Sequence, residues 1–127
     1  MFDVDDIIAG FADLPDDGIN PIVGSYCLYT DTYDETKHCI AGQILVNFGL
    51  ECPDSSVIAS FEAVAQDANL GNVFTPNAIE FITQLQVLAD NSHIGGANPR
   101  YWGEVKEMII DDGYASALEK RYGNEPF

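Results

Sequence analysis

Five side chains in this 127-residue sequence are soft or borderline metal ligands: Cys27, His38, Cys39, Cys52 and His93. Zinc sites usually rest on close pairs such as Cys-x-x-Cys. Here successive cysteines stand 12 and 13 residues apart, and the one adjacent pair is His38-Cys39. Neighbours at a helix start or on a strand point in different directions. The spacing therefore predicts no metal site and reads the three thiols as reduced and buried. Asp31, Asp34 and Glu35 bring three carboxylates to one turn, without the alternation and central glycine of a calcium loop. A nucleophile would need an oriented histidine. His38 adjoins Cys39 and His93 adjoins Ser92, and sequence neighbours rarely reach that geometry. No phosphate loop, dinucleotide fingerprint or Gly-x-Ser-x-Gly elbow is present. The chain is expected to be non-catalytic and to carry no cofactor. An enclosed pocket holding His38 or His93 beside a carboxylate would favour an enzyme instead.

The carboxylates are the other chemistry on offer. The chain has 21 acids against 5 bases, a formal charge of −16. Fifteen acids and a single base, Lys37, precede residue 100. Direct contact with nucleic-acid phosphates or with an anionic membrane would add repulsion. A partner with a basic surface fits, because such a field steers and speeds association. Asp3, Asp5 and Asp6 fall in the first turn of a helix, where the dipole favours them. Asp13, Asp16 and Asp17 lie at its other end, where it does not. Tyr29 and Tyr33 flank Asp31, Asp34 and Glu35, and tyrosine is enriched at binding hot spots. These eight residues, Asp13, Asp16, Asp17, Tyr29, Asp31, Tyr33, Asp34 and Glu35, are the candidate contact surface. The aromatic set Tyr26, Tyr29, Tyr33, Tyr101 and Trp102 reads as core edge or as an interaction patch. Solubility and adaptation to high salt compete as explanations of the charge. Twelve isoleucines and several asparagines are less typical of the latter.

Apolar periodicity supplies the elements that position these residues. Residues 3–14 predict a helix with Val4, Ile7, Ile8, Phe11 and Leu14 on one stripe. A loop over 15–21 leads to a strand at Ile22–Thr30, a turn at 31–35 and a return strand at 36–39. His38–Gly49 predicts a buried central helix around which the others pack. Gly42 inside it costs about 1 kcal/mol against alanine, which points to close approach of a neighbouring backbone. A third helix is expected from Asp54 or Ser55 as cap, with Val57, Ile58, Phe61, Val64, Ala65 and Ala68 inward. Thr75-Pro76 and Asn98-Pro99 each read as a cap followed by proline at the first helical position. They open helices to about Asp90 and to Gly113, and a short last helix runs from Tyr114 to Tyr122. The chain is thus expected to be one domain over 1–127. Its class is mainly α (α+β), a bundle of about five or six helices with one small β-hairpin. At 127 residues and 46% hydrophobic it has material for one core. The acidic start, Met-Phe-Asp-Val-Asp-Asp, lacks the basic and apolar runs of a secretory signal. No stretch suits a membrane span, and a cytoplasmic protein is expected.

Gly24-Ser25-Tyr26-Cys27, a turn, and Cys39-Ile40-Ala41-Gly42-Gln43-Ile44 resemble a small domain family of unknown function from actinobacteria and their phages. That family carries a Gly-Trp or Gly-Cys segment, a turn, then Cys-x-x-Gly-Ala-Ile, and a Trp near its last helix. Trp102-Gly103-Glu104-Val105 is the counterpart here, and Gln43 stands where the family has alanine. The resemblance implies a fold and a phage or mobile-element origin, but no activity. The expected function is a non-catalytic acidic binding protein, phage or mobile-element encoded. It would inhibit a basic host protein, such as a nucleic-acid enzyme or defence complex, by charge mimicry. A virion or assembly component, or a small enzyme with an unrecognised site, are the competing classes.

Overall fold

A computed structural model describes residues 1–23, 26–54, 59–93 and 96–112. Among them are five α-helices: α1 (Val4–Ala9), α2 (Ile40–Asn47), α3 (Phe61–Asp67), α4 (Pro76–Asp90) and α5 (Trp102–Asp112). The fold is mainly helical, and one buried cluster draws on all five. No helix among the described residues is long and apolar enough to cross a membrane.

The organising helix is α4, not α2. Thr75 caps it, its hydroxyl accepting from Ala78 N at 3.1 Å, and Pro76 opens the first turn. Asn91 ends it in the left-handed region, at φ 47°. Its fifteen residues span about 22 Å and bury Ala78, Phe81, Ile82, Leu85, Leu88 and Ala89, together with Thr83 and Gln86. Those positions cover more than one face, so α1, α2, α3 and α5 all pack on it. The shorter α2 leaves Val46 and Asn47 exposed and cannot serve as the hub.

The chain start is sewn to the start of α4. Phe2 N donates to Val73 O, Thr75 N donates to Phe2 O, and the Thr75 hydroxyl donates to Asp3 at 2.7 Å. That hydroxyl, and the backbone of the first turn, hold the Asp3 carboxyl below its usual range. Phe2, Phe48 and Phe74 pack beside this seam in tilted and edge-on contacts, with ring centroids 4.5–6.0 Å apart. The expected helix at 3–14 forms as α1, which tightens into a 3-10 turn over Gly10–Asp13.

Two expected helix starts move. Ser60 caps α3, accepting from Ala63 N, so the helix begins beyond Asp54. Ser55, Val57 and Ile58 lie outside the described residues, as do Gly24, Ser25 and the expected helix from Tyr114 to Tyr122. Helix α5 starts at Trp102, not after Asn98. Trp102 N donates to Gly18 O and Gly103 N to Asp16 O, so the 16–18 loop serves its first free amides.

The expected hairpin of Ile22–Thr30 with Thr36–Cys39 does not form. Two-residue antiparallel pairs take its place: β1 (Ile22–Val23) with β2 (Tyr26–Cys27), and β3 (Ser92–His93) with β4 (Gly96–Ala97). Between the would-be strands a single bridge, Thr30 to His38, remains. Asp31 and Asp34 explain the loss. Their side chains capture the amides of Tyr33 (2.9 Å) and Thr36 (3.0 Å), curling the chain into local turns rather than a ladder.

Candidate functional site

The acidic loop enters α2 through a buried polar frame. The first amides of any helix lack intrahelical partners. Here Ile40 N donates to Asn20 Oδ1 (2.8 Å), Ala41 N to Gln86 Oε1 (3.1 Å) and Gly42 N to Cys39 Sγ (3.3 Å). Asn20 is 2% exposed. Its oxygen also accepts from Trp102 Nε1 at 3.0 Å, and its amide donates to Asp90. One asparagine therefore fixes α2, α4 and α5 relative to one another. Burial pushes the Cys39 thiol well above its ordinary range, outweighing the Gly42 amide that favours the thiolate. This cysteine is the cap of α2 and is fully buried.

Gly42 is the close-approach position its place in the pattern predicts. A Cβ there would lie 2.5 Å from Cys52 Sγ and 3.0 Å from Tyr29 O. The missing side chain lets segments 29–30 and 52–53 close over the start of α2. Thr30 is the knot that ties them. Its hydroxyl donates to Pro53 O at 2.7 Å and lies 3.1 Å from His38 Nδ1 and 3.4 Å from Cys52 Sγ. A hydroxyl has one hydrogen. With that hydrogen on a carbonyl, Thr30 can only accept from the imidazole, which places the ring hydrogen on Nδ1. The Cys52 sulfur sits within 3.4 Å of Thr30 Oγ1, Tyr29 O and Pro53 O. Burial pushes its pKa up, outweighing the Thr30 contact, which lowers it.

From this knot the loop projects outward. Asp31 N donates to Lys37 O, and Lys37 N to Asp34 O. Asp34 also accepts from the Thr36 hydroxyl at 2.6 Å, and that bond holds its carboxyl below the usual range. Tyr33, at the tip, is 96% exposed. Tyr29 is the correction among the eight candidates: it is 2% exposed, its hydroxyl donates to Ala59 O, and burial pushes its phenol far up. It belongs to the core and offers no contact surface. Beside the loop lies a cleft of about 320 Å³ lined by Thr30, Asp31, Glu35, His38, Cys52 and Asp54.

The second candidate group lies elsewhere. Asp13 O accepts from Asn47, at the C-terminal end of α2, whereas the 31–37 loop feeds its N-terminal end. Asp13 and Asp17 are exposed. Asp16 pairs with Lys106 at 2.7 Å. Lys106 also donates to Phe11 O and Leu14 O, closing the 3-10 turn. Arg100 similarly donates to Leu88 O near the end of α4. Exposed carboxylates occur on all five helices or their flanks, including Asp5, Glu62, Glu80 and Glu107.

Of the ligand set considered from sequence, His38 and Cys52 meet around Thr30, while Cys39 faces Gly42. The side chains of Cys27 and His93 lie outside the described residues. Among the described residues no three His, Cys, Asp or Glu side chains converge as a metal ion requires. Asn20, Thr30 and Gln86, which build the frame, were not singled out by sequence reasoning. Their pattern carries no motif, and Asn20-Pro21 reads as a plain loop signal. No protein family, curated protein or solved structure matches the chain, so the resemblance over Gly24–Leu50 rests on its own residues.

Proposed function

We propose that the chain is a non-catalytic acidic protein that binds a basic protein surface through the 31–37 loop. The observation that carries this reading is the loop tip. An almost fully exposed tyrosine stands among Asp31, Asp34 and Glu35 on a loop braced by its own side-chain hydrogen bonds. A rigid aromatic anchor ringed by charge suits a hot spot. Five bases against 21 acids leave a net negative field that would steer a cationic partner. Because exposed carboxylates occur on every helix or its flanks, the acidity belongs to the whole surface, and the specific contact is assigned to the loop. The partner class is a nucleic-acid-binding enzyme or defence complex whose phosphate-binding surface the carboxylates would occupy. The phage or mobile-element origin follows from the resemblance alone, and inhibition of a basic host protein from the fifteen acids and one base before residue 100.

The test is capture of proteins from a bacterial lysate by the immobilised chain at low and high salt, with duplex DNA as competitor. A basic nucleic-acid-binding protein should be held at low salt, be released by salt or DNA, and be lost from a Tyr33→Ala, Glu35→Gln variant. Retention of nothing basic, or equal retention by the variant, overturns the reading.

One observation favours a second reading, a small enzyme: His38 shares a cleft with Asp31, Glu35 and Asp54. The protonated state favoured for Cys52 argues against thiol chemistry there, and that point has its own test below.

A further inference from the structure

We infer that the groove along the outer face of α5 is the docking site of the chain's own C-terminal segment, residues 114–122, laid back antiparallel to α5. The inference goes beyond the proposed function, since neither the 31–37 loop nor a partner enters it.

Gly103, Lys106, Glu107 and Ile110 recur at helical spacing and share one stripe of α5. Phe11, Ala12 and Asp16 stand opposite, and a groove of about 320 Å³ lies between. Phe11, Ala12 and Ile110 give it apolar walls. Lys106 directs its ammonium to Phe11 O, Leu14 O and Asp16, so what it adds to the groove is its aliphatic stem. Asp16 and Glu107 bring carboxylates to the sides. Ile110 is 66% exposed, although it sits where the groove meets the end of α5 at Asp112.

The next residues of the chain fit this groove in length, pattern and charge. Gly113 directly follows α5, and a glycine there permits the chain to reverse. Tyr114, Leu118 and Tyr122 recur every four residues and predict one apolar stripe, flanked by Arg121. A helix this short is marginal in water and needs a surface for its stripe. Residues 114–122 as helix cover about 13 Å, and the groove from Ile110 to Gly103 covers about 10 Å. Laid antiparallel, Tyr114 falls beside Ile110, Leu118 over the Lys106 stem and Arg121 beside Asp16. Lys120 and Arg121 are two of the five bases in the chain, and they meet an acidic rim. The tether is a single glycine, so the effective concentration of the segment is about millimolar or higher. A second copy has no tether and brings its own charge of −16. Asp16 thereby belongs to a contact within the chain rather than to a partner surface.

NMR of the full chain tests this. NOEs should connect Tyr114 and Leu118 to Ile110 and Ala12. Ile110→Asp and Leu118→Asp spoil the contact from opposite sides, and each should speed amide exchange over residues 117–122 about tenfold. Val46→Asp, the same kind of change at an exposed site on α2, should leave that exchange unaltered. Arg121→Gln should speed it more at low salt than at high salt. Exchange over 117–122 at the rate of a free peptide, or no effect of Ile110→Asp, overturns the docking. Equal effects of Ile110→Asp and Val46→Asp show a general response to charge and overturn the groove as the site. Equal effects of Arg121→Gln at both salts overturn its pairing with the acidic rim. NOEs between chains in a mixture of labelled and unlabelled protein overturn the segment in favour of a second copy. None of these outcomes bears on the 31–37 loop, which the Tyr33→Ala, Glu35→Gln variant reads separately.

Discussion

Trp102 Nε1 donates to Asn20 Oδ1 at 3.0 Å, joining α5 to the loop that follows the 3-10 turn. The same oxygen receives Ile40 N, and the asparagine amide reaches Asp90. Asn20→Ala would remove partners from three groups at once. A buried polar group without a partner costs about 1–3 kcal/mol, and losses within one network are not additive. The expected destabilisation is about 3 kcal/mol, read by urea denaturation. A loss within experimental error would mean that the frame contributes nothing beyond its packing.

This frame also marks where the sequence was legible and where it was not. Thr75-Pro76 places the start of α4 correctly, because cap and proline act locally. The stripe Val4, Ile7, Phe11 and Leu14 locates α1 and its continuation for the same reason. Gly42 was readable as a close approach, since a glycine in an apolar helix has few other uses. The Asn98-Pro99 signal misplaced α5, because the carbonyls of Asp16 and Gly18 set its start from far away in sequence. The hairpin failed because Asp31 and Asp34 compete for backbone amides, which β-propensity does not register. Tyr29 and Tyr33 are four residues apart and look alike in sequence, yet one is core and the other is tip. Only the turn between them decides that.

Gly42→Ala sets two effects against each other. Alanine gains about 1 kcal/mol of helix propensity. Its methyl would meet Cys52 Sγ at 2.5 Å and the fixed Tyr29 carbonyl at 3.0 Å. Overpacking of this kind costs about 1–3 kcal/mol, so the expected result is net destabilisation. Cys52→Ala in the same chain should restore part of it, since the sulfur is gone and the carbonyl remains. A double-mutant cycle by denaturation checks this. Purely additive effects would show that the two sites do not touch.

Acid behaviour follows from Asp34. Its folded pKa is lowered below 3.8, first by the Thr36 hydroxyl and then by the Thr36 amide. A depressed carboxylate adds stability that is complete above the unfolded value and disappears as pH falls through the folded one. Thr36→Val removes the hydroxyl bond and should raise the Asp34 pKa in an NMR titration. The stability difference between the two proteins should be constant at neutral pH and vanish in strong acid, below the folded pKa. A difference that persists there would locate the effect in packing rather than in charge.

Cys52 separates the two functional readings. Its sulfur is surrounded by Thr30 Oγ1, Tyr29 O and Pro53 O, and burial raises its pKa. The thiolate is the reactive form, and each pKa unit changes its fraction about tenfold. Iodoacetamide at mildly alkaline pH should therefore label Cys52 more slowly than a free cysteine peptide. Fragment mass spectrometry distinguishes it from Cys39. Urea should abolish the protection. Labelling faster than the peptide would mean that His38, through Thr30, withdraws the thiol proton. The hydrogen on Thr30 would then point to the imidazole instead of Pro53, and the cleft would be a nucleophile's site. Slow labelling leaves Thr30 as donor to Pro53 and His38 with its hydrogen on Nδ1.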